Sequence, residues 1–195
     1  MTGEATGTEA GAQGDEAWVD QVLTFWFEGL AREAWFRKSD VTDELIRSRF
    51  MKLHEKIAAL PVDAAWSSPR RALATIIVLD QFPRNMFRGT PRAFATDTKA
   101  RDVALGAVER GFDQSFDKDG RAFIYLPFEH SESLPDQEKS VELFTPLGDD
   151  EYKYYAIAHR DIIARFGRFP HRNAVLGRQS TPAEEKFLKQ PSSSF

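Results

Sequence analysis

Apolar residues in this chain return every three or four positions, the period of helices that bury one face. Trp18, Val22, Phe25 and Trp26 set the first such stripe, which ends near Gly29. Ser39 or Asp40 caps a second helix, in which Val41, Leu45, Phe50, Leu53, Ile57 and Leu60 hold the period until Pro61. Ser68-Pro69 is a start signal, serine as N-cap and proline at the first helical position. Leu73, Ile76, Ile77 and Leu79 carry that helix to Phe82, and Pro83 is expected to end it. Asp97 opens a fourth, with Ala100, Val103, Ala104, Ala107 and Val108 inward and Gly111 as its stop. Arg121 to Phe128 reads as a short aromatic segment that Pro127 ends or kinks. Pro135 starts a helix through Val141 and Phe144. Asp149 or Asp150 caps the next, which turns Tyr152, Tyr155, His159, Ile162, Ile163 and Phe166 to one side and stops at Gly167. Thr181-Pro182-Ala183-Glu184 is a capping box that leads into Phe187 and Leu188.

No segment alternates with period two and β-branched enrichment, so the pattern predicts an all-α fold of seven or eight helices. Short connections place neighbours in stacked antiparallel hairpins of the tetratricopeptide kind, although no sequence repeat of about 34 residues accompanies them. The 195 residues fit one domain. Residues 1–15 lack any bulky apolar side chain and are expected to form a disordered tail, leaving 16–190 as a single helical domain.

Charge changes this picture once it is divided along the chain. Glu4, Glu9, Asp15 and Glu16 are the only charged residues in the first sixteen; without them 26 acidic residues face 26 basic ones. That balance argues against a nucleic-acid partner, which calls for a clear basic excess. No apolar run approaches the ~20 residues of a membrane span, and the amino terminus has no secretory pattern. With no cysteine, thiolate chemistry is excluded. A soluble cytoplasmic protein without a membrane or nucleic-acid partner is the expectation.

Several ordered stretches resemble one known family. They are Val22-Leu23-Thr24-Phe25-Trp26-Phe27, Leu79-Asp80-Gln81-Phe82-Pro83-Arg84-Asn85 with Arg88-Gly89, and Ala93-Phe94-Ala95-Thr96-Asp97. Tyr125-Leu126-Pro127-Phe128-Glu129-His130-Ser131-Glu132, Phe166 to Asn173 with Leu176-Gly177-Arg178, and Ser180-Thr181-Pro182-Ala183-Glu184-Glu185 continue the match. The chain is similar, from about Ala17 to Leu188, to the mainly bacterial group known as domain of unknown function number nine hundred and twenty-four. It departs at Ala183, where that family often has glutamate. The resemblance implies an all-helical, tetratricopeptide-like fold and carries over no activity, substrate or catalytic residue.

The candidate chemistry therefore comes from the residues. Phe166 to Arg178 holds arginine, histidine and asparagine among aromatic and turn residues, and guanidinium forks suit carboxylate and phosphate. From Ile157 to Arg178 five arginines meet one aspartate, while from Pro127 to Glu151 eight carboxylates meet one lysine. The two segments are expected to pair in part. Asp80 at a helix end needs a nearby cation against the helix dipole, which Arg84 or Arg88 would supply as a clamp. The alternative turns Gln81, Arg84 and Arg88 towards a bound anion. His130 between Glu129 and Glu132 matches no strong zinc spacing, so neither a metal centre nor a cofactor is expected. His159-Arg160-Asp161 spells a kinase triplet without the rest of a kinase and is rejected.

Two readings follow. The first is a pocket for an anionic small molecule or peptide carboxylate, lined by Gln81, Arg84, Arg88, His130, His159, His171, Arg172 and Asn173. The alternative is a hydrolase in which His130 or His159 is the general base, Glu129 or Glu132 orients it, and an arginine stabilises negative charge. It demands a histidine within hydrogen-bond reach of a carboxylate in a water-accessible cleft. A scaffold that binds a partner helix is a third class and predicts no buried polar cluster.

Overall fold

The computed structural model describes residues 9–191 and 193, with side chains from Glu16 onward. All of its regular structure is helical, and no strand occurs among the described residues. Helix α1 (Glu9–Leu23) runs on through a wide π-helical turn, Thr24–Glu28. It is followed by α2 (Asp40–Ala59), α3 (Pro69–Ile76), a second π-helical turn (Ile77–Gln81) and α4 (Phe82–Met86). Then come α5 (Asp97–Glu109), α6 (Lys118–Glu129), α7 (Leu134–Phe144), α8 (Asp150–Phe166) and α9 (Pro182–Leu188), joined by short turns and 3-10 segments. Because α3 and α4 form one unbroken rod, the described helices number eight. Residues 1–8 of the expected tail lie outside the described residues. Residues 9–15 extend α1 backwards from the apolar stripe, over alanine and glutamine that favour helix. Among the described residues no helix is long and apolar enough to cross a membrane.

The capping residues read from the sequence act as such. Ser39, Ser68 and Asp149 accept backbone N–H bonds at the starts of α2, α3 and α8. At α9, Glu184 N–H reaches Thr181 Oγ1 while Thr181 N–H reaches Glu184 Oε2, closing the capping box.

Prolines behave differently from expectation. Pro83 does not end the third helix, because the π-helical turn just before it shifts the hydrogen-bond register. The Leu79 carbonyl, four residues before a proline that has no N–H to offer it, accepts the Thr96 hydroxyl at 2.5 Å. Pro127 sits inside α6, which continues to Glu129. The buried face of α2 also differs. Val41 and Leu45 are 80% and 40% exposed, whereas Asp43, Ile46, Phe50, His54 and Ile57 face inward. A polar pairing described below draws Asp43 in and turns the helix by about one position.

α5, α6, α7 and α8 pack each on the next, and α3 lies across both α5 and α6. Phenylalanine fills the joint between the halves. Phe50 lies tilted against Phe82 at 4.7 Å and Phe25 at 5.0 Å, and Trp26 meets Phe123 edge-on at 5.5 Å. Such aromatic pairs add roughly 0.5–1.5 kcal/mol each beyond their burial.

Gly106 on α5 marks the closest approach. A Cβ there would lie 2.3 Å from the Trp66 ring, whose Nε1–H donates to the Val103 carbonyl. Gly106→Ala is therefore expected to destabilise by about 1–3 kcal/mol through overpacking, read by urea unfolding. An unchanged midpoint contradicts the packing described.

Candidate functional site

The centre of the candidate site is a buried carboxylate. Asp80 falls in the π-helical turn between α3 and α4, is fully shielded from solvent, and points towards the end of α6. Both of its oxygens accept the His130 Nδ1–H, at 2.8 and 2.9 Å. Gln81 Nε2 adds a bond at 2.6 Å, and Arg84 Nη1 lies 3.3 Å away while donating to the Asp80 carbonyl at 2.6 Å. Burial alone would push Asp80 up, but the Arg84 charge and the His130 bond more than reverse this and hold it at about 2. Asp80 thus stays ionised, so His130 carries its proton on Nδ1 and leaves a lone pair on Nε2. Burial, then Arg84, keeps His130 below its ordinary value against the pull of Asp80.

The backbone fixes where His130 sits. Its N–H closes the last turn of α6 on the Leu126 carbonyl. Gln137 of α7 donates to the carbonyls of Glu129 and Ser131 on either side, at 2.6 and 2.7 Å. The imidazole ring is thereby committed to Asp80.

A second link runs outward through Arg84, whose two terminal nitrogens clasp Asp97 at 2.9 and 3.0 Å. Arg172, which follows α8, approaches the same carboxylate at 3.6 Å. The guanidinium of Arg172 lies between the rings of Phe94 and Phe169, at 4.6 and 4.5 Å, and is 7% exposed. Its Nε is buried without a hydrogen-bond partner among the described residues. Burial lowers Arg172 to about 10, with Arg84 adding repulsion and Asp97 restoring part of the loss.

These groups border a cleft of about 550 Å³ between the start of α5, the end of α6 and the segment after α8. Phe94, Asp97, Arg101, His130, Ser131, Glu132, Asp136 and Arg172 line it. Ser131 donates its hydroxyl to Asp136 at 2.7 Å. Of the residues singled out from sequence, His130, Arg172 and Glu132 reach this cleft. Arg84 and Gln81 lie beneath, in the network that supports it.

Others are placed elsewhere. Arg88 pairs with Asp43 of α2, at 2.7 and 2.9 Å, where Asn85 adds a third bond at 2.8 Å. It is a brace between α2 and α4, and it does not belong to the pocket. Glu132 is held by Arg178 at 2.7 and 2.9 Å and by the Phe169 N–H, so it does not orient a histidine. Glu129 and His159 are both buried, with His159 Nδ1 3.2 Å from Glu129 and donating to the Tyr155 carbonyl at 2.8 Å. Burial, helped by the Asp80 charge, raises Glu129 to about 8, and burial lowers His159 to about 3. The two meet as neutral groups, and the His159 ring centre lies 6.4 Å from that of His130. His171 rests on Phe169 and is lowered to about 4 by burial and then by Arg172. Asn173 is buried, donating to Ser180. Arg168 pairs with Glu184, so the basic segment meets the acidic one mainly at Arg178–Glu132.

Sequence reasoning missed Asp80 as the partner of His130, and Asp97 and Phe94 as the bridge to Arg172. Asp97 was legible only as the start of a helix. The buried polar cluster is the opposite of what a helix-binding scaffold predicts.

A profile of bacterial proteins of unknown function, DUF924, matches residues 22–192. The solved structure of a protein of unknown function from Agrobacterium tumefaciens is 41% identical and superposes with a TM-score of 0.84. It covers 89% of this chain and 97% of that one. No curated protein matches the sequence.

The buried Glu129 has a consequence for stability. Its native form keeps a proton that an unfolded carboxyl, with an ordinary value of 4.5, releases well before pH reaches about 8. Stability is therefore expected to fall as pH rises through that window. Glu129→Gln, which cannot ionise, should match wild type near the acid end and gain up to about 1.4 kcal/mol per pH unit above it. Denaturant unfolding across pH reads this, and a gain that does not vary with pH contradicts it.

Proposed function

The chain belongs to the DUF924 family of bacterial proteins, and we propose that its cleft binds a small molecule through a carboxylate or phosphate group held by Arg172. The observation that supports this reading is the state of that guanidinium. It is buried and clamped between two aromatic faces, yet one nitrogen is unpartnered and its nearest carboxylate stands off at 3.6 Å. Asp97 is instead oriented by Arg84, which bonds both of its oxygens and leaves the Arg172 fork at that longer distance. A buried cation with unspent donors is costly, and an anion entering the cleft would satisfy it. The rings hold the planar fork in place, so little side-chain entropy is lost on binding.

Four arginines of the adjoining networks argue for this choice by contrast. Arg84, Arg88, Arg168 and Arg178 each have a carboxylate within 3.0 Å. The lining mixes apolar Pro91, Phe94, Ala95, Pro127 and Leu176 with hydroxyl and imidazole groups that fix orientation, and its carboxylates Asp97, Glu132 and Asp136 face Arg84, Arg178 and Arg101.

Thermal-shift titration with succinate, inorganic phosphate, and one peptide with free or amidated carboxyl terminus separates the ligand classes. Wild type is expected to be stabilised by at least one anion in a saturable way. Arg172→Ala should weaken it by about 10- to 100-fold, the worth of a charge-assisted hydrogen bond. Arg172→Lys should fall between, and Arg88→Ala should bind as wild type. Equal affinity in wild type and Arg172→Ala, or no anion bound by wild type, refutes the reading.

A further inference from the structure

Beside the anion anchor lies a pair of groups that binding alone does not require. Asp80 is wholly buried, and both of its oxygens are committed to the Nδ1 edge of one imidazole. The His130 side chain is 14% exposed and lines the cleft that Arg172 also lines. Among the described residues no group hydrogen-bonds its Nε2, so the basic edge of the ring is turned towards the cleft. A buried carboxylate that fixes the tautomer while the opposite nitrogen meets solvent is the arrangement by which histidine takes protons from a hydroxyl or water.

Resting on the anion-binding reading above, we infer that the cleft hydrolyses a small ester carrying a carboxylate or phosphate, with His130 as general base and Asp80 as its positioning residue. Arg172 holds the anionic end. A water molecule gives a proton to His130 Nε2 as its oxygen bonds to the ester's acyl carbon. The bond from that carbon to the alcohol oxygen then breaks, and the departing oxygen takes the proton back from His130. Acid and alcohol are the products, and His130 returns to its starting state.

This assignment moves the orienting role away from Glu129 and Glu132, which the sequence offered first. Glu132 is occupied by Arg178, and Glu129 lies behind, against His159. The charged and titratable groups around the His130 ring include Arg84, Asp97, His159 and His171 besides Asp80 itself, and Arg172, Glu132 and Asp136 share its cleft. Arg84 is what keeps the carboxylate ionised, and so what keeps the proton on the Nδ1 side of the ring.

Two measurements test the inference on the full chain. The first needs no substrate: nitrogen-15 NMR of the imidazoles is expected to show His130 as the neutral Nδ1–H tautomer at pH 7. The second follows release of 4-nitrophenolate from mono-4-nitrophenyl succinate, with neutral 4-nitrophenyl acetate as comparison. Wild type should hydrolyse the succinate half-ester saturably and in preference to the acetate, and His130→Gln, if its melting shows it folded, should lose about 100-fold or more. An Nε2–H tautomer, or equal rates in wild type and His130→Gln, overturns the general base. If succinate still stabilises both proteins in that event, the anion site survives; if it stabilises neither, the anion site fails for this probe as well.

Discussion

One buried negative charge governs this structure. Taking a carboxylate out of water costs several kcal/mol unless donors close around it, and Asp80 is fully out of water. Its donors come from three places: Gln81 beside it, Arg84 one turn on, and His130 from the far end of another helix. Each of these is held by what Asp80 needs. Arg84 reaches on to Asp97, the carboxylate that Arg172 also approaches. The rod of α3 and α4, the start of α5, the end of α6 and the segment after α8 are tied together through this one series of charges. The cleft lies where those elements converge.

Local backbone geometry makes this possible. The π-helical turn at Ile77–Gln81 adds a residue to the register just ahead of Pro83, and Thr96 takes up the Leu79 carbonyl that results. Wide turns of this kind recur at functional sites because they re-aim side chains without breaking the rod. Here the turn carries Asp80 and Gln81 themselves.

The helices were legible in the sequence because their signals are local. Ser68-Pro69 and the Thr181 to Glu184 box state a helix start within four residues, and Gly111 and Gly167 lie just past helix ends with positive φ. Two things were not legible. The phase of α2 depends on Asp43 being drawn inward by Arg88 and Asn85, more than forty positions away. The run through Pro83 depends on Thr96. The site suffered in the same way. His130, Arg172 and Arg84 stand out by type, and the Asp80–Arg84 clamp is readable from spacing. The reach of Asp80 to His130 and the place of Asp97 beside Arg84 and Arg172 appear only once the fold brings them together. Arg88 stands out equally and turns out to be a brace, since chemistry alone cannot tell a guanidinium that is spent from one that is not.

The most direct test of this account is the unfolding free energy of Asp80→Asn at pH 7. Removing one member of a buried, hydrogen-bonded charge pair is expected to lower stability by about 3–5 kcal/mol, because Arg84 and His130 are left facing a neutral amide. A loss below about 1 kcal/mol, the scale of an exposed ion pair, would contradict the claim that this charge organises the cleft.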